Sequence, residues 1–265
     1  MDNAVRDPRG GYAEGVPCWV DAMLPDVEGG KRFYGELFGW TFGEAVGQEY
    51  GHHVMAYRDG LPVAALAPKT DGRMPTVWTV YLATPDAAAL AGRIKEAGGS
   101  MVMQAIPVGS FGTAGLAADP EGAVFGLWQG SAHQGFGLRR RPGSFCWTEV
   151  YSRDKDLVDP FYEGVFGYGG SDLDLGGEEF RTWSPAGTEP GPDTAIGGRG
   201  LVTGSFPAEM PAHFLVYFSV ADADATAAAA TRLGGRVHAP PFDIPYGRIA
   251  VLTDNQGATF AVLQD

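Results

Sequence analysis

One segment of this chain occurs twice, and that repetition limits the folds open to it more than any other feature. Residues 15–40, GVPCWVDAMLPDVEGGKRFYGELFGW, return without a gap as residues 143–168, GSFCWTEVYSRDKDLVDPFYEGVFGY. Gly15, Cys18, Trp19, Asp21, Asp26, Phe33, Tyr34, Phe38, Gly39 and Trp40 fall on Gly143, Cys146, Trp147, Glu149, Asp154, Phe161, Tyr162, Phe166, Gly167 and Tyr168. Matches of that density in one block mark a tandem duplication, which has to be settled before any fold is assigned.

Each copy opens with a short apolar run that suits a strand. An Asp able to cap a helix follows, and then apolar residues at helical spacing. In the first copy the stripe is Val27, Gly30, Phe33, Tyr34, Leu37 and Phe38, stopped by Gly39. In the second, Pro160 falls where a helix interior would be, so Asp159 competes with Asp154 as the cap, because Pro is tolerated in the first turn. The four repeated phenylalanines read as core.

The pattern then recurs at half the spacing. EYGHHVMAYRDGLPVAALAP reads as two strands around an Arg58-Asp59-Gly60 turn. PTVWTVYLATPDAAALAGRIKEAGG is again a strand, a capping Asp86 and a helix ended by Gly98 and Gly99, and residues 101–129 read as three strands closing on DPEGAVFGLWQ. The later half repeats the order through EEFRTWS, TAIGGR, PAHFLVYFSVADADATAAAATRLGG and DNQGATFAVLQ. The expected organisation is a flexible arm at residues 1–14, a domain at 15–129, a linker at 130–142 and a second domain at 143–265. The fold class is α+β, each domain being two βαβββ units that form a curved, cup-like mixed sheet with helices outside.

The chain of 265 residues is 45% hydrophobic, enough to bury two ordinary cores. No apolar run is long enough to cross a bilayer and no hydrophobic signal core opens the sequence, which predicts a cytoplasmic protein with no membrane partner. A formal net charge of −13 argues against nucleic acid as a partner, since phosphate affinity comes from Lys and Arg. Cys18 and Cys146 hold equivalent positions, one per domain, and read as small strand hydrophobes, not as a disulfide.

Strand–helix–strands units in pairs, the aromatic-Tyr…Phe-Gly ending of the first helix and the closing Asp-Pro-x-Gly-x-x-Phe together resemble the vicinal oxygen chelate superfamily of glyoxalases, extradiol dioxygenases and bleomycin-resistance proteins. More narrowly, Cys-Trp-x-Asp/Glu followed by Phe-Tyr…Phe-Gly-Trp/Tyr is similar to actinobacterial two-domain members labelled glyoxalase-like or hydroxylase-like. Relatives of that kind include mycobacterial antigens and proteins of aromatic-polyketide antibiotic clusters such as that of daunorubicin. The resemblance spans residues 15–264.

The superfamily's metal enzymes place a His on the first strand of a unit and a Glu on the last. The matching positions here hold Trp19, Trp147, Thr79 and Leu215 at the His, and Gly126 and Ala261 at the Glu; a middle position within 62–66 or 194–198 has no carboxylate. A divalent cation needs several N, O or S donors at one point, so no family-type metal centre and no cofactor is expected.

By strand alternation Trp19 and Asp21 share a face, as do Trp147 and Glu149, so each cup is expected to carry an indole beside a carboxylate. That suits a flat, partly oxygenated aromatic ligand. His213 falls on the face of Leu215, which puts an imidazole with Glu149 in the C-terminal cup, while Asp21 faces Val77 without one. The catalytic candidates are therefore Glu149, His213 and Asp21, as an acid–base set. Candidate ligand contacts are Trp19, Trp147, Trp78, Phe214, His53, Tyr57, Phe111, Tyr246 and Arg248. A surface salt bridge is the plainer role for Arg248.

Two functions fit this reading. One is a metal-independent tailoring enzyme, or enzyme partner, acting by hydroxylation, cyclisation or isomerisation on an aromatic polyketide-like substrate in antibiotic metabolism. The other is a binding protein that sequesters an antibiotic without turnover. Monomer and homodimer both fit.

Overall fold

The computed structural model describes residues 11–46, 51–174, 179–204, 206–207 and 209–265. Each half of the chain folds as two strand–helix–three-strand modules. The first module runs β1 (Pro17–Leu24), α1 (Val27–Phe38), β2 (Thr41–Ala45), β3 (Val54–Arg58) and β4 (Leu61–Pro68). The second runs β5 (Trp78–Ala83), α2 (Ala87–Glu96), β6 (Ser100–Val108), β7 (Gly112–Ala118) and β8 (Val124–Gly130). The third consists of β9 (Phe145–Ser152), α3 (Lys155–Phe166), β10 (Gly169–Asp174), β11 (Glu179–Ser184) and β12 (Gly197–Leu201). The fourth is β13 (His213–Ser219), α4 (Ala223–Arg232), β14 (Arg236–Ile244), β15 (Gly247–Thr253) and β16 (Thr259–Gln264).

Two eight-stranded mixed sheets result, ordered β2-β3-β4-β1-β5-β8-β7-β6 and β10-β11-β12-β9-β13-β16-β15-β14. The orders are identical under the duplication, as the α+β expectation requires. Within every module the first strand pairs parallel with the last, so Asp21 lies opposite Ala65 and Glu149 opposite Gly198. Among the described residues no helix is long and apolar enough to cross a membrane.

Local chemistry explains the breaks. Asp26, Asp86, Asp154 and Asp222 each cap a helix by accepting from backbone N–H groups of its first turn. Gly39 and Gly167 end α1 and α3 in the left-handed conformation, at φ 68° and 69°. Asp59 and Gly60 both have positive φ, as the two-residue turn between β3 and β4 demands. Asp159 is not a cap: α3 begins at Lys155 and Pro160 lies inside it. The ring removes one helical N–H bond, and the side chain of Asp159 turns to an arginine, described below.

Packing sorts the chain into two compact units that interleave the halves of the sequence. The first unit contains the segment ending at Cys18, Val80–Gly135 and Thr148–Phe214; the second contains Trp19–Thr79, Phe136–Trp147 and Leu215–Asp265. Of the expected arm at residues 1–14, residues 1–10 lie outside the described set. Residues 11–14 are packed in the first unit, where Tyr12 is buried and Glu14 pairs with Arg93.

The second unit is built on aromatic rings. Phe33, Tyr34 and Phe38 of α1 pack with Trp40, Trp78, Phe218 and Phe260, with Phe38 and Trp78 each 5.1 Å from Phe218. Tyr34 Oη donates to Asp254 Oδ2 at 2.9 Å and accepts from Trp78 Nε1 at 2.9 Å. Burial, reinforced by the Asp254 carboxylate, raises the Tyr34 pKa well above its ordinary value.

The first unit repeats the plan with substitutions. Phe161, Tyr162 and Phe166 of α3 pack with Phe125, Tyr168, Trp183 and Phe214, and Tyr162 Oη donates to Asp119 Oδ2 at 3.1 Å. Burial likewise raises the pKa of Asp119. Arg199, at 1% exposure, occupies the place of Leu66 and forms a two-pronged pair with Asp159, Nε–Oδ1 3.1 Å and Nη2–Oδ2 2.9 Å. Both cysteines are buried and free, their thiols directed at Tyr81 O and Tyr217 O.

Candidate functional site

In the second unit, Asp21 on β1 meets His53, the residue before β3. His53 Nε2 lies 3.3 Å from Asp21 Oδ2, and the histidine side chain is 31% exposed against 4% for the carboxylate. His52, at φ 53°, turns the chain just ahead of it, so only His53 is delivered to the carboxylate. A carboxylate on one ring nitrogen sets the tautomer and leaves Nδ1 as the basic atom. This corrects the expectation that the N-terminal cup has no imidazole; the partner comes from the residue leading into β3, not from β5. Trp19, two residues before Asp21, is buried with its ring 5.5 Å from Phe136, which in turn stacks on Phe145 at 4.8 Å.

In the first unit, β9 alternates cleanly: Thr148, Val150 and Ser152 are buried, while Glu149 and Tyr151 are half-exposed. Tyr151 Oη donates to Glu149 Oε2 at 2.9 Å. His213 stacks on Tyr151, with ring centroids 5.4 Å apart and planes within 12°, and Phe206 tilts against the same ring at 5.6 Å. His213 Nδ1 is 2.9 Å from Pro211 O; a carbonyl only accepts, so the neutral ring carries its proton on Nδ1 and its lone pair on Nε2. Arg153 Nη2 donates to Pro207 O at 3.1 Å and Met210 O at 2.9 Å, fixing the backbone beside Phe206.

Glu149 and His213 therefore come together through Tyr151 instead of touching. Tyr151 is the residue sequence reasoning missed; its signal was the same alternation that singled out Trp147 and Glu149. Trp147, at the same register, is half-exposed on β9.

Other candidates lie elsewhere. Trp78 is buried at 4% and bonded to Tyr34, so it belongs to a ring core, whereas Phe214 packs on Tyr162 and Phe125 and also lines a cavity with Thr148, Trp183 and Gly198. Their strands turn those side chains toward the helices. Phe111 and Tyr246 sit in the β6–β7 and β14–β15 turns, on the outermost hairpins of their sheets, and Tyr246 is 50% exposed. Arg248 is held by Asp224, Nε–Oδ2 2.6 Å, and Asp243, Nη1–Oδ1 2.9 Å, which raise its pKa, while the guanidinium holds the Asp224 carboxyl low. This is the surface salt bridge foreseen for it. Tyr57 on β3 is half-exposed beside Gly43.

The positions at which the superfamily binds metal do not fit one. A Cβ built on Gly126 would lie 2.1 Å from the Tyr81 ring, so a carboxylate there has no room. Ala261 is buried on β16, and Trp19 offers carbon and one N–H donor, never a lone pair. Among the described residues no three His, Cys, Asp or Glu side chains gather as a metal set.

Paired βαβββ modules, each closing its first strand on its last, define a duplicated α+β protein of the chelate-cup type. The model of the Glyoxalase/Bleomycin resistance protein/Dioxygenase superfamily matches residues 19–127 and 160–262, and the chain belongs to that superfamily. Among curated relatives it is 38% identical over 262 residues to CFP32 of Mycobacterium bovis, which carries a provisional glyoxylase name, covering 97% of both chains. It is 35% identical over 267 residues to the anthracycline biosynthesis protein DauV of Streptomyces sp. strain C5, covering 96% of this chain and 94% of the other. A Mn(II)-bound glyoxalase from Novosphingobium aromaticivorans superposes with a TM-score of 0.64 at 15% identity, covering 95% and 82% of the two chains. The 2,2',3-trihydroxybiphenyl 1,2-dioxygenase of Sphingomonas wittichii RW1 gives 0.63 at 14%, covering 96% and 91%; at such identities the likeness is one of fold.

Proposed function

We propose that this protein binds an aromatic, polyketide-like small molecule in antibiotic metabolism and tailors it by moving a proton, without the metal chemistry of its superfamily. The observation that carries this reading is that each unit brings a carboxylate and an imidazole together. In one they meet directly, Asp21 with His53 at 3.3 Å, and in the other through Tyr151. The likeness to the anthracycline biosynthesis protein DauV supports the substrate class. Cyclisation and isomerisation fit best. A basic imidazole nitrogen takes a proton from an acidic C–H or O–H of the ligand, and the same proton returns to another ligand atom, so the ring ends unchanged. Trp147 supplies an indole on the strand that carries Glu149.

The test begins with quenching of tryptophan fluorescence by a panel of anthracyclinones, alongside metal analysis of the purified protein. Quenching lost in Trp147→Ala, with no stoichiometric metal, is the expected result, followed by turnover of whichever compound binds. Substituting Glu149→Gln and Asp21→Asn in turn then separates two functions. A loss of roughly 10²- to 10⁴-fold in rate at unchanged affinity supports proton transfer. Tight binding with no turnover by the wild type would replace the enzyme by a sequestering protein, and a stoichiometric metal would overturn the donor-set argument.

A further inference from the structure

The two candidate sites differ in access. On β1 both Trp19 and Asp21 are covered, at 5% and 3% exposure, with Phe136 across the indole. On β9 Glu149, the equivalent of Asp21, and Tyr151 beyond it stand half-exposed. Resting on the small-molecule reading above, we infer that the first unit holds the ligand. Its seat is a platform of Tyr151, His213 and Phe206, and Tyr151 determines specificity for a flat aromatic bearing a hydroxyl on its rim.

Three observations converge on this assignment. Tyr151 and His213 already form a near-parallel stack at 12°, and a planar ligand extends such a stack at little conformational cost because the rings are fixed beforehand. His213 is fixed by its bond to Pro211 O, and the backbone beside Phe206 by the two bonds from Arg153. The polar edge of the platform is the Tyr151–Glu149 hydrogen bond, which offers an acceptor carboxylate and a phenol side by side at its rim. A bare hydrocarbon ring would cover those acceptors without bonding them; a ring hydroxyl donates to one of them. Arg153 touches no ligand in this scheme and is a positioning residue for the Phe206 side of the platform.

The probes are 1,8-dihydroxyanthraquinone and unsubstituted anthraquinone, titrated against the full chain by fluorescence. The dihydroxy compound should bind the wild type more tightly than its parent. Tyr151→Phe keeps the ring and should abolish that preference, whereas Tyr151→Ala and Phe206→Ala should each raise Kd about tenfold for both probes. Arg153→Ala should raise Kd several-fold while Arg153→Lys restores part of it, and the exposed Arg73→Ala should change nothing. Near-UV circular dichroism checks that each variant is folded. Unchanged binding and unchanged preference in both Tyr151 variants, with binding lost in His53→Ala, would overturn this assignment and leave the small-molecule reading standing. Wild-type binding of anthracyclinones but of neither probe would overturn the rim specificity, and binding of nothing in either set would overturn both.

Discussion

The two units share a plan and diverge in what fills it. In both, an α-helix delivers a tyrosine to a buried aspartate: Tyr34 to Asp254 in the second, Tyr162 to Asp119 in the first. In both, that aspartate also accepts backbone N–H bonds from its own turn, Gln256 and Ala258 in one and Glu121 and Ala123 in the other. Around these ties the side chains change. Trp78 bonds Tyr34 where Phe214 cannot bond Tyr162, Phe218 stands where the other unit has Leu82, and Leu66 stands where it has Arg199. The polar ties and the Asp caps are common to both copies, while apolar filling and surface chemistry differ.

The largest test of this contrast is Asp159→Ala. It strands the buried Arg199 and should cost about 3–5 kcal/mol in urea unfolding. Combining Arg199→Leu with Asp159→Lys recreates the Leu66 and Lys31 of the second unit and should recover most of that loss.

Next come the ties. Tyr162→Phe removes one hydrogen bond to a carboxylate and should cost about 2–3 kcal/mol, and Tyr34→Phe roughly 1 kcal/mol more because Trp78 Nε1 also loses its acceptor. Equal effects would mean that the indole bond contributes nothing. A smaller, pH-dependent difference comes from His133 of the first unit, whose burial pushes its pKa down to about 4. The unfolded chain binds that proton near pH 6.5, so stability should fall as pH drops from about 6.5 towards 4, by roughly 1–2 kcal/mol at pH 5. His133→Gln should flatten the dependence in a series of thermal melts. Smallest are the caps: Asp26→Ala and Asp154→Ala should each cost about 1 kcal/mol by thermal melting, the latter the more, since Asp154 accepts from two backbone N–H groups and Asp26 from one.

The sequence made some of this legible and hid the rest for physical reasons. Caps, the Asp59-Gly60 turn and the repeated modules announce themselves through local chemistry that tertiary packing does not override. Strands β2 and β10 did not: TFGEA and GGSDLD contain Gly and acids because they lie at sheet edges, where burial asks little of them. Pro160 misled because a single missing N–H bond is tolerated inside a helix anchored by a ring core. At the candidate site, Asp21, Glu149 and His213 were read from alternation, but the His53 partner of Asp21 was not, since the turn at His52 breaks the period that would have placed it. Nor could spacing reveal that Phe136, from the linker, covers Trp19 and makes one copy of an equivalent strand inaccessible.

The tie between Tyr34 and Asp254 spans 220 positions of the chain. During synthesis α1 emerges well ahead of the rings and the carboxylate that complete its surroundings, Phe218, Asp254 and Phe260. The second unit therefore cannot close in the order in which it is translated. Its apolar helix face must wait for strands made much later, whereas Tyr162 of the first unit meets an Asp119 already made.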